Sequence, residues 1–119
     1  MQQFELEAWL GDDHGLDEGQ IQELLQHAEE VEAQYPDADD REEAAAALTV
    51  AYRLIRGDEG VVEELAADLA AARAAEVRAM AALRQTAIMT IPTAGHGAET
   101  GFARTAGVDR MTVRKWLGK

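Results

Sequence analysis

The stretch ETGFARTAGVDRMTVRKWLG, residues 99–118, decides how the chain is read. Its pattern predicts two short helices joined by a tight turn. Phe102, Ala103 and Ala106 recur at helical spacing and form the inner face of the first helix. Gly107 permits the positive φ that a sharp turn needs, and Val108 plugs the corner. Asp109 is placed to cap the second helix, whose inner face is Val113, Trp116 and Leu117. Ala103 is small where the two helices cross, so their backbones approach closely. Arg110, Met111, Arg114 and Lys115 point outward.

Immediately upstream, Pro92 to Gly97 (PTAGHG) reads as a flexible loop, with His96 a mobile loop residue between two glycines. Before it, a segment capped by Asp58 runs without proline to Met89. Val62, Leu65, Leu69, Ala72, Val77, Met80, Leu83, Ala87 and Ile91 trace a roughly helical stripe along it. A continuous helix of that length spans about 45–50 Å. This is long for a small monomer, so part of it is expected to pack against a second copy. The heptad drifts around Ala72–Glu76, which argues against a regular coiled coil.

Further towards the N-terminus, Asp17 with Gln20 approximates a capping box, and Ile21, Leu24, Leu25, Ala28, Val31 and Tyr35 give one apolar face before Pro36 stops the helix. Asp37, Asp39 and Asp40 open the next helix at the positive end of its dipole. Ala44, Ala47, Leu48, Ala51, Tyr52 and Ile55 form its stripe, and Gly57 its stop. Residues 3–10 fit both a strand alternation and helical i,i+4 pairs. A lone strand has no partner here, so a short helix ending near Gly11 is favoured. Trp9 and Trp116 read as core anchors in apolar runs.

The expected fold class is therefore all-α: an acidic helical lobe over residues 1–72, and a three-helix region over 73–119 that shares the long connecting helix. Composition agrees. Alanine fills 24 of 119 positions and aromatics only six, which suits helices packed through small side chains. Absence of cysteine excludes disulfides and thiolate metal sites. No run of about eighteen apolar residues exists, and the first residues lack a signal pattern, so a soluble, cytoplasmic protein without membrane contact is expected.

A formal net charge of −12 argues first against nucleic acid, whose phosphates are bound mainly by Lys and Arg. The total hides a division. Residues 1–70 sum to −17, whereas residues 71–119 sum to +5. Screening beyond roughly 8–10 Å lets distant patches act separately, so the C-terminal segment is electrostatically distinct.

With these residues, the segment resembles the bacterial helix-turn-helix family of DNA-binding proteins. Ala103, Gly107, Val108, Val113 and Trp116 meet the family's demands for a small residue, a turn glycine and apolar residues at fixed offsets. Phe102 completes the motif core. The match covers residues 99–118, and about 78–118 if the end of the long helix supports the motif. The whole chain also resembles small helix-turn-helix proteins of GC-rich actinobacteria. The resemblance implies that the second helix, near 109–117, lies in the major groove of double-stranded DNA. Arg110, Met111 and Arg114 then contact bases, and Arg104, Thr112, Lys115 and Lys119 contact phosphates. One unit with no wing buries little surface, so a homodimer on two half-sites is implied. The expected function is a small, sequence-specific transcriptional regulator.

The acidic lobe keeps three readings: a solvated surface, a docking surface for a basic protein partner, or a segment that folds over the basic motif or mimics DNA and so limits non-specific binding. The second defines the alternative function, an acidic adaptor or antitoxin-like protein. Asp12-Asp13-His14, with His27 one helix away, lacks a third ligand and is read as capping and solvated. No nucleophile–base pair, metal site or cofactor site can be assembled, so no enzymatic activity is expected.

Overall fold

Local capping chemistry sets most element boundaries in the computed structural model, which describes residues 1–119. The chain is all-α, with no strand. α1 (Gln3–Leu10) settles the ambiguous first segment as a helix. α2 (Glu18–Gln34) begins with a reciprocal capping box. The Gln20 N–H donates to the Asp17 carboxylate at 2.8 Å, and the Asp17 N–H donates to Gln20 Oε1 at 2.9 Å. A short 3-10 turn, Ala38–Asp40, leads into α3 (Arg41–Arg56). Gly57 closes α3 in the left-handed region at φ +94°. There follow α4 (Val61–Thr90), a second 3-10 turn (Ile91–Thr93), α5 (Ala98–Ala106) and α6 (Arg110–Trp116).

Two compact units divide the chain, residues 1–65 and 66–119. The division lies within α4, N-terminal to the 72/73 boundary expected from charge and spacing. In the first unit Leu6, Ile21, Leu24, Ala28 and Leu48 form the buried core, with Tyr52 and Ile55 of α3 packed against it. His14 serves the loop before α2. Its Nδ1 accepts the Leu16 N–H at 2.9 Å, and its carbonyl accepts the Tyr52 hydroxyl at 2.6 Å. In the second unit the core is Ala87, Ile91, Ala103 and Val113.

Three expectations from sequence need correction. Asp58 does not cap α4, because the guanidinium groups of the preceding helix reach its carboxylate first. Arg56 donates to it at 2.8 and 2.6 Å and Arg53 at 3.3 Å. The Glu64 N–H is satisfied by the Gly60 carbonyl, and α4 starts at Val61. Trp9 is 42% exposed and anchors no core, since Leu6 and Leu10 take the inner face of α1. Pro92 and Thr93 are not loop but 3-10 helix, where proline's fixed φ fits the first turn. Along the stripe of α4 only Ala87 and Ile91 are buried; Val62, Leu65, Leu69, Ala72 and Val77 are exposed.

Candidate nucleic-acid interface

α5 and α6 meet around two small contacts that the sequence dictates. Gly107 ends α5 at φ +72°, and this left-handed residue turns the chain. The Gly107 N–H donates to the Arg104 carbonyl, and the Val108 N–H to the Ala103 carbonyl at 3.1 Å, so the end of α5 keeps its acceptors satisfied. Asp109 then accepts the Met111 N–H at 3.0 Å and starts α6. Val113, with no exposed surface, packs in one cluster with Ala103. Phe102, Val108, Trp116 and Leu117 close around them, half-buried. Five of the six motif-core residues thus meet in one cluster, and the sixth, Gly107, is exposed at the turn that joins the two helices.

The outer surface carries the residues singled out from sequence for contact with DNA. Arg110, Met111 and Lys115 are exposed on α6, Arg104 is exposed on α5, and Lys119 is exposed at the chain's last residue. Thr112 and Arg114 are half-buried.

A residue that sequence reading passed over organises this surface. Glu99, in the first turn of α5, accepts a hydrogen bond from Arg114 Nη1 at 2.9 Å on Oε2 and is bonded by the Lys119 ammonium on Oε1. Arg110 Nε stands 3.9 Å away, too far for a hydrogen bond but close enough for attraction. The Lys119 bond, supported by Arg114, holds the Glu99 carboxyl below the ordinary glutamate range, against the opposing effect of its burial. Arg104 and Lys115 take no part in this clasp and make no ion pair. The one available signal was scarcity: Glu99 is one of three acids after residue 71, set among eight bases.

Beside the clasp runs an open groove of about 570 Å³, floored by Ile91, Pro92 and the 95–97 turn and edged by Glu99, Arg110, Arg114 and Lys119. No group of three or more His, Cys, Asp or Glu side chains is arranged to hold a metal ion. His27 instead pairs with Glu30 on the same helix at 2.9 Å. No helix is long and apolar enough to cross a membrane.

The surface defined here is a short capped helix, seated on a partner helix through a glycine turn, with basic side chains on its free face. Comparison with known proteins adds no relative: no family model matches the chain, and no curated protein or solved structure does so.

Proposed function

We propose that the protein is a sequence-specific DNA-binding regulator of transcription that acts as a homodimer, with α6 in the major groove of double-stranded DNA. The observation that carries this reading is the seating of α6. Val113 fixes the helix against Ala103, while Arg110, Met111 and Lys115 are exposed and Arg114 half-exposed around the rest of its circumference. Arg110 keeps its whole donor fork free. Arg114 gives Glu99 one N–H from Nη1 and retains the others. Guanine O6 and N7 need two parallel donors, so an arginine held at one corner by a carboxylate remains able to read guanine. Met111 supplies an apolar contact for a thymine methyl. Arg104, Thr112 and Lys115 serve phosphates, and Lys119 does so once released from Glu99. No catalytic residue or cofactor enters this reading.

Selection of random duplexes with the full-length protein at about 50–100 mM salt tests it. An enriched sequence is expected. Recovery of none would remove the regulator reading.

One feature favours the second reading, an acidic adaptor for a basic protein. Between α2 and α3 lies a groove of about 330 Å³ with Glu23 and Glu30 on its rim and Val31, Val50 and Leu54 among its lining. Leu54 is 58% exposed there, where a basic amphipathic helix finds both an apolar seat and opposite charge. Calorimetry with an Arg/Lys-rich amphipathic peptide tests this reading. Binding lost in Leu54→Asp supports it, and binding that ignores that change counts against it.

A further inference from the structure

Every residue from 62 to 79 of α4 is exposed, although the segment carries large apolar side chains. Val62 is 74% exposed, Leu65 45%, Leu69 50% and Val77 69%. Alanine accounts for much of the rest and gives the helix its intrinsic stability. Apolar side chains aligned on one bare helix mark an interaction face. Val62, Leu65, Leu69 and Met80 follow one another at intervals of 3, 4 and 11 residues, together five helical turns, which keeps them on one face of the helix. That face is interrupted at its middle by Arg73 and Glu76, and they form no ion pair within the chain.

We propose that this face pairs with the same face of a second copy, antiparallel, about a two-fold axis near Ala74 and Ala75. The polar interruption selects this arrangement. In an isologous pair centred between residues 74 and 75, Arg73 of each copy meets Glu76 of the other, twice over. The same register sets Leu69 against Met80 on both sides and Leu65 against the aliphatic stem of Arg84, while Val62 lies beyond the seam because its counterpart Ala87 is buried. A parallel, in-register pair would instead oppose arginine to arginine and glutamate to glutamate at the seam. Charge along the helix agrees with the choice. Residues 61–72 hold Glu63, Glu64 and Asp68 and no base, whereas residues 73–84 hold Arg73, Arg78 and Arg84 against Glu76 alone. Antiparallel pairing lays the acidic half on the basic half and opposes the helix dipoles favourably. The 11-residue interval explains why no regular heptad is present.

This inference deepens the two-copy part of the DNA-binding reading by naming the surface that joins the copies. It is tested without DNA, so its failure and the failure of DNA binding are separate results. Sedimentation equilibrium of the full chain should show a dimer at tens of micromolar. Arg73→Glu and Glu76→Arg should each weaken it at least about tenfold, because each places like charges opposite one another. The double exchange should restore it. Each of these positions is exposed, and the helical circular dichroism of every variant is read alongside as a folding control. Orientation is read by disulfide capture, which the absence of native cysteine makes clean. Mixed Leu69→Cys and Met80→Cys proteins should cross-link to each other under mild oxidation. A chain still monomeric at about 100 micromolar, failure of the double exchange to restore pairing, or preferential 69-to-69 cross-links would each overturn the proposal.

Discussion

Arg114 Nη1 donates to Glu99 Oε2 at 2.9 Å, tying the middle of α6 to the first turn of α5. The bond joins residues fifteen apart in sequence and fixes the direction of a side chain that would otherwise sample many rotamers. Glu99 is itself only 15% exposed at its side chain, so its carboxylate is a constrained anchor. On the proposed DNA-binding face, this carboxylate would also repel phosphate, trading general affinity for an ordered arginine.

Arg114→Ala should relax preference at one or two base positions and cost about 1–3 kcal/mol on the selected sequence. Glu99→Gln should behave differently, raising affinity for unrelated duplexes while narrowing the gap between selected and random sequence. Competition binding with both duplex types measures the two effects. An equal loss for Arg114→Ala on every sequence would demote it to a phosphate contact.

Acid should unfold the protein through two identifiable carboxylates. The Arg56 hydrogen bonds, with help from Arg53, lower Asp58 to about 2, and Lys119 with Arg114 lowers Glu99. Unfolded aspartate and glutamate titrate near 3.9 and 4.3. Depressed folded values mean that the stabilisation is complete above those unfolded values. It is lost as pH falls through the folded ones. Urea midpoints should therefore stay level from about pH 7 to 5 and fall between about 4 and 2. Asp58→Asn should lower the midpoint at pH 7 and flatten the acid limb. An unchanged acid limb would show that Asp58 is not the group responsible. Salt should weaken both contributions, since the leading cations Arg56 and Lys119 remain partly exposed to solvent.

Much of this architecture is legible in sequence because helix ends are local chemistry. The Asp17–Gln20 box, Pro36, Gly57, Gly107 and Asp109 each act within a few residues, and all five stand at the ends of elements. Features that depend on a second element are not legible in the same way. Asp58 resembles a cap until Arg53 and Arg56 claim it. Trp9 resembles an anchor until the packing of α1 turns Leu6 inward and leaves the indole outside. The Glu99 clasp spans 15 and 20 residues, beyond any helical period. In α4, periodicity identifies an apolar stripe but carries no information on what covers it.

Val113→Ala should cost about 2 kcal/mol, from two lost methyl-sized groups and an incompletely collapsed cavity at a site with no exposure. Gly107→Ala should cost about 1–2 kcal/mol for a different reason. No atom lies within 4 Å of the added Cβ, so the cost is the left-handed backbone at φ +72°. Thermal unfolding of both variants checks this. A neutral Gly107→Ala would mean that the turn relaxes out of the left-handed region, and α6 would then lose its seat.

Lys115 is exposed and unpaired on α6, and a contact to phosphate should make its removal blind to sequence. Lys115→Ala is therefore expected to weaken selected and random duplexes by the same factor. It should also reduce the slope of log affinity against log salt by about 1, since one fewer counterion is released. Lys119→Ala should give a smaller change in slope, because its ammonium must first leave Glu99. In a Glu99→Gln background that restraint is weakened, and the Lys119→Ala change should approach the full value. Titrations at four salt concentrations distinguish the two lysines. Equal slopes for both single variants would show that the Glu99 bond does not restrain Lys119, and a sequence-dependent loss in Lys115→Ala would move that residue from phosphate to base.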